Sequence, residues 1–238
     1  MAKRSIEADR KARVEEMRRA QQAKERRRTL LIMGSAVLVI VILIGLVTFT
    51  IRDFLQDNPN DLEAVGVAAA EADCDAVTDD PADGVSVHVG PGTETPEMTR
   101  VEYDSVPPSH GEHYPAPVFP AQPFYTVDDR EPMEALVHNL EHGYTVVWYA
   151  EDLPQAQVDE LQTVSDLARS EDATGGGKFI VSPWDASYGE LPEGRQVALS
   201  HWGAENGHRQ LCGSVSGEVV QEFITDFPSS DSPEPNGQ

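Results

Sequence analysis

The chain has 238 residues and a formal net charge of −23 at pH 7, with 18 Lys+Arg against 41 Asp+Glu. The acid excess falls on residues 52–238, where it argues against nucleic acid and against an anionic membrane surface as partners, because both would repel it. The chain also has no nucleophile elbow, phosphate-binding glycine loop, dinucleotide fingerprint or Cys-x-x-Cys pair. There is accordingly no positive case for serine-hydrolase chemistry, nucleotide use or thiol redox work, and a non-catalytic role stands ahead of a catalytic one.

The charge is unevenly spread. Residues 1–28 carry 11 basic side chains against 5 acidic, whereas residues 52–238 carry 7 against 36. Between them Thr29 to Ile51 form an uncharged run, TLLIMGSAVLVIVILIGLVTFTI. As a helix rising 1.5 Å per residue it is about 34 Å long, enough to cross a hydrocarbon core of about 30 Å. Basic flanks stay on the cytoplasmic side. The expectation is a basic cytoplasmic segment at 1–28, a transmembrane helix at 29–51 and an extracytoplasmic remainder, with the lipid bilayer as a partner. Arg26, Arg27 and Arg28 would sit at anionic headgroups. A cleaved secretory signal is the competing reading. The apolar run is longer than a typical signal core, and no small-x-small site follows at Thr50–Phe54.

Residues 52–83, acidic and rich in alanine with Pro59 and Pro81, read as a stem. One domain is expected over 84–228, and the closing SSDSPEPNGQ (229–238) reads as a disordered tail. Within the domain, short strands are expected at Val85–Val89 and Thr99–Tyr103, then a proline-rich loop from Pro107 to Pro123. A short helix is expected over Pro132–His142, with Pro132 in its first turn and Gly143 just past its end. YTVVWY (Tyr144–Tyr149) is β-branched and aromatic, as a buried strand requires. Pro154–Ser170 shows a helical stripe of Val158, Leu161, Val164, Leu167 and Ala168. Strands at Phe179–Ser182 and Gln196–Ser200 and a helix at Glu218–Phe227 complete the set. Strands and helices mix without a repeated βαβ period, which points to an α+β fold.

Cys74 and Cys212 both follow the apolar run. In an oxidising compartment they would pair as a disulfide; a metal site using one of them is the other reading.

All seven histidines also follow the run, and four fall in two groups, Ser109-His110-Gly111-Glu112-His113 and His138-Asn139-Leu140-Glu141-His142. On the expected helix Met133, Leu136, Val137 and Leu140 form the buried stripe. His138, Glu141 and His142 then cluster on the other face, as residues at i, i+3 and i+4 do. Two imidazoles one turn apart make a bidentate metal clamp, and His113 from the loop would supply a third ligand. His138-x-x-Glu141-His142 also fits the inverted zinc-peptidase pattern, in which the Glu activates water. Peptidase motifs lie within longer helices than one ended at Gly143. The plain alternative is that the histidines are surface or hydrogen-bonding residues fixing the loop. For His88, His201 and His208 a structural role is the simpler reading, with His201 kept as a spare ligand.

From about Tyr103 onward the order of motifs resembles an uncharacterised family of membrane-anchored proteins frequent in actinobacteria, a domain of unknown function. The likeness rests on Pro107-Pro108-Ser109-His110-Gly111-Glu112-His113, on His138-Asn139-Leu140-Glu141-His142-Gly143 before an aromatic strand, and on Trp202-Gly203. It carries His113, His138, Glu141, His142 and Gly143 onto the family's pattern, while His110 and His201 depart from it. The resemblance implies the fold, the anchor and the site position, and names no reaction.

Three readings follow. In the first, an extracytoplasmic domain binds copper or zinc through His113, His138 and His142, with Glu141 beside them. In the second, it is a non-catalytic interaction module for a protein of the cell envelope or a membrane complex, offering PAPVFPAQPFY (Pro115–Tyr125). In the third, it is a zinc-dependent hydrolase with Glu141 as general base.

Overall fold

The computed structural model of the chain describes residues 61–82 and 87–238. The basic segment 1–28, the span 29–51, the start of the stem and Val85 lie outside the described residues. Among the described residues no helix is long and apolar enough to cross a membrane.

Among the described residues the fold is mixed, with one five-stranded sheet and three α-helices. The strands are β1 (Thr78–Pro81), β2 (Thr145–Tyr149), β3 (Phe179–Pro183), β4 (Val197–Trp202) and β5 (Asn206–Cys212). The helices are α1 (Met133–Glu141), α2 (Gln155–Ala168) and α3 (Gly217–Asp226). The sheet order is β1-β5-β4-β2-β3. Only β2 and β3 run parallel, and α2 is the crossover between them; every other pair is antiparallel.

Alternation along the strands sends side chains to two cores. Val147, Tyr149, Phe179, Val181, Val197 and Leu199 point to the face covered by α2 and α3. Val146, Trp148, Ile180, Ala198 and Trp202 point to the face covered by α1. Each buried Val, Leu, Ile or Phe among them stabilises by about 1.5–3 kcal/mol. α2 and α3 are amphipathic in the expected way: Leu161, Val164 and Ala168 on one, and Val219, Val220, Phe223 and Ile224 on the other, face the sheet.

Several expectations are corrected. Residues 61–82 are part of the domain rather than a free stem: Leu62, Val65 and Ala72 enter the α2/α3 core, and β1 pairs with β5. The Cys74–Cys212 disulfide fastens this segment across a separation of 138 residues. Thr99–Tyr103 is extended without joining the sheet, because the Val101 amide donates to a side chain, Glu134 Oε1, at 2.9 Å. His88 makes an isolated parallel bridge to His113 rather than lying in a strand. Residues 229–238, expected to be disordered, form a turn at Ser229–Asp231 and then run against the end of α1.

Candidate metal centre

α1 positions the site. Pro132 precedes it as N-cap residue rather than standing in its first turn, and the chain leaves it at Gly143, whose φ of +86° suits a residue with no Cβ. All nine residues of the helix are buried. Met133, Leu136, Val137 and Leu140 pack towards the sheet. The opposite face is polar and yet covered, because the proline-rich loop folds over it. Asn139 clamps that loop in both directions: its Oδ1 accepts from the Val118 amide at 2.9 Å, and its Nδ2 donates to the Val118 carbonyl at 3.1 Å. The loop's beginning is tied down by Ser109, which donates to Asp80 Oδ2 at 2.8 Å, the same oxygen that Arg209 Nε reaches at 3.1 Å.

This sandwich brings the histidines together. The ligand atoms of His88, His113, His138 and Glu141 all lie within 4.8 Å of one another. His113 and Glu141 are 0% and 1% exposed, His138 is buried, and only His88 is open to solvent. His113 Nε2 stands 3.0 Å from Glu141 Oε2, and His138 Nε2 stands 3.1 Å from His142 Nε2. Donors about 2.0–2.1 Å from a shared zinc ion lie about 2.9–3.4 Å from each other, so the His113–Glu141 spacing fits coordination of one ion.

The other ring nitrogens fix the tautomers. His113 Nδ1 donates to the Gly111 carbonyl at 2.7 Å, His138 Nδ1 to the Tyr114 carbonyl at 2.6 Å, and His142 Nδ1 to Gln238 O at 2.7 Å. An oxygen of this kind only accepts, so each Nδ1 bears hydrogen and each Nε2 is turned towards the neighbouring side chains. That is the support arrangement of metal-bound imidazoles, whose second nitrogen donates to backbone or carboxylate. Burial, the largest cause, pushes His138 down to about 4; the Tyr114 carbonyl opposes, and His113 and His142 push further down. At neutral pH His138 is therefore an uncharged ligand. Its Nε2 faces that of His142 at 3.1 Å.

The structure thus brings His113, His138 and Glu141 into one group. It places His142 against His138 but in a second group, with Glu141 and Glu234. Sequence reasoning missed His88, whose approach depends on backbone pairing: the Val89 amide donates to the His113 carbonyl at 2.8 Å, and the His113 amide donates to the Val87 carbonyl at 3.1 Å. No local pattern announces that pairing. Glu234 was missed because its segment has the composition of a solvated tail. His201, the spare ligand, sits on the opposite face of the sheet. It follows Val197 and Leu199 in the alternation of β4 and is paired in register with His208. His208 Nδ1 lies 2.8 Å from Asp79 Oδ1, and its ring stacks on Phe227. The hydrolase reading gains nothing: α1 has only nine residues, and Glu141 is held by His113.

A second buried carboxylate, Glu134, has a plain structural role. It accepts from the Val101 amide and from the Tyr188 hydroxyl at 2.9 Å each. Tyr188 titrates well above the ordinary tyrosine range, from burial first and then from Glu134.

No curated protein and no solved structure matches the chain. Residues 8–68 match the model of an inhibitor of host cell division protein domain, a likeness confined mostly to residues before the described ones. Residues 94–238 match a family described as protein of unknown function (DUF3105), a stretch that contains α1, its histidines, four of the five strands and Glu234. That match spans more than half of the chain, which therefore belongs to the DUF3105 family of proteins of unknown function.

Proposed function

We propose that the protein is a membrane-anchored, extracytoplasmic domain that binds a transition-metal ion, copper or zinc, through His88, His113, His138 and Glu141. The observation that carries this reading is the convergence of four ligand atoms within 4.8 Å, two of them on histidines whose Nδ1 donates to a backbone carbonyl. Three imidazoles and one carboxylate suit either metal. The anchor is supported by the uncharged run at 29–51 and the reversal of charge across it. The Cys74–Cys212 disulfide fits an oxidising compartment.

Elemental analysis of the full-length chain, purified without a histidine tag and then exposed to copper or zinc, tests the reading. Bound metal that disappears in the His113→Ala/His138→Ala double variant, with the circular dichroism of the fold retained, is the expected result. A wild-type chain that takes up neither metal refutes it.

A second reading, an envelope interaction module, has one observation in its favour. Phe119 is 62% exposed at the crest of the proline-rich loop, where it offers a partner an aromatic anchor.

A further inference from the structure

The segment after α3 is built into the site. Lys178 Nζ donates both to the His142 carbonyl and to the Pro235 carbonyl, at 2.7 Å each. The Glu234 amide donates to the Glu141 carbonyl at 3.1 Å, and the Gly237 amide closes a turn back onto the Glu234 carbonyl at 2.9 Å. Gly237 lies flat on the His142 ring, where a Cβ would stand 2.4 Å from the ring carbons, so only glycine admits this approach. His142 is thereby fixed between Gln238 O on its Nδ1 and the Glu234 side chain on its Nε2, at 3.5 Å from Oε2.

The outcome is a second convergence. Ligand atoms of Glu141, His142 and Glu234 lie within 4.8 Å of one another, and Glu141 belongs to this group as well as to the first. The two groups also meet through the 3.1 Å approach of His138 Nε2 and His142 Nε2. We propose that the protein holds two divalent metal ions side by side, the second bound by Glu141, His142 and Glu234, with the Glu141 carboxylate bridging the pair. This rests on the metal-binding reading above and extends it. A carboxylate offers two oxygens and spans ions about 3.5–4 Å apart, the usual separation in two-metal sites. Two carboxylates and one imidazole make a donor set for a divalent ion such as Zn²⁺ and a poor one for Cu(I), which selects softer ligands. Glu234 is 56% exposed along its side chain, so the second ion sits at the tail side of the site and exchanges from there.

The test is a zinc titration of the full-length, untagged chain after chelator treatment and dialysis, beside E234Q and H142A. Wild type takes up two equivalents of zinc per chain and each variant takes up one. Cobalt loaded in place of zinc shows magnetic coupling in wild type and none in E234Q. Because Glu234 is exposed, its substitution does not threaten folding. A wild type that stops at one equivalent, with E234Q indistinguishable from it, overturns the second ion and leaves the first standing. Two equivalents that persist in both variants overturn the ligand assignment. No uptake of zinc or copper at all overturns the metal-binding reading and this inference with it.

Discussion

Replacing His201 by leucine removes a buried titratable group from the face of the sheet away from the candidate metal centre, and its effect has a definite sign and size. His201 is fully buried, and neither ring nitrogen reaches a partner at hydrogen-bonding geometry. Burial pushes it from 6.5 down to about 3, the charge of His208 adds to the push, and the Tyr144 backbone, the smallest of the three causes, opposes it. Above pH 6.5 the ring is neutral in the folded and unfolded chains alike and adds no pH dependence. As pH falls below that value the unfolded chain gains a proton that the folded chain refuses, so stability drops by about 1.4 kcal/mol per pH unit. The drop ends near pH 3, where the folded ring protonates too. From pH 7 to pH 5 this one residue therefore removes about 2 kcal/mol. Urea unfolding of wild type and His201→Leu at both pH values isolates the term, because every other titrating group, the His208–Asp79 pair included, is common to the two proteins. The wild-type chain should lose about 2 kcal/mol more than the variant over that interval. Equal losses would refute the argument, since they would mean that His201 is protonated as readily in the fold as out of it.

Two further outcomes follow from the packing. The Cys74→Ala/Cys212→Ala double variant opens a link spanning 138 residues. Chain entropy assigns that link about 5 kcal/mol; denaturant unfolding should show a loss of about 3–5 kcal/mol, and untreated wild type should contain no titratable thiol. Asn139→Ala removes both hydrogen bonds to Val118 and leaves a buried amide and carbonyl unpaired. A loss of about 2–4 kcal/mol is expected, with proteolysis shifting to the proline-rich loop; an unchanged cleavage pattern would show that Asn139 does not hold the loop down.

Much of this fold is legible in the sequence because its central elements obey simple periods. β2 and β3 are β-branched, aromatic runs buried on both faces, and α2 and α3 carry apolar stripes at the helical repeat. The same repeat is enough to put His138, Glu141 and His142 on one face of α1. The β1–β5 pair obeys no such rule. β1 is TDDP, acidic and ending in proline, and it becomes a strand only because β5 offers an open edge and Arg209 pairs with Asp80. β5 is NGHRQLC, with His208, Arg209 and Gln210 polar in succession, so neither alternation nor an apolar run marks it although it lies between β1 and β4. TRVEY at 99–103 has the alternation of a strand but is extended off the sheet, its Val101 amide taken by Glu134. The tail shows the limit of composition. SPEPNGQ buries little apolar surface, and what orders it is a set of individual contacts from Lys178, His142 and the close approach at Gly237.

The two faces of the sheet show why histidine content alone does not make a site. On the α2/α3 face, His201 and His208 are cross-strand neighbours, and each is disposed of separately. One is buried neutral among apolar groups, and the other is paired with Asp79 and stacked on Phe227. That face can carry a neutral imidazole at a cost in acid stability and needs no ion. On the α1 face, backbone carbonyls at Gly111 and Tyr114 and the oxygen of Gln238 take the Nδ1 hydrogens of three different rings, which turns the Nε2 atoms of His113 and His138 towards Glu141 in one group and that of His142 towards Glu141 and Glu234 in another. The two close approaches, His113 Nε2 to Glu141 Oε2 at 3.0 Å and His138 Nε2 to His142 Nε2 at 3.1 Å, each need a shared proton or a cation between the partners. The sequence supplies Gly111, Asn139, Gly143 and Gly237 to hold the loop and the tail where the rings converge into groups that could hold a metal ion.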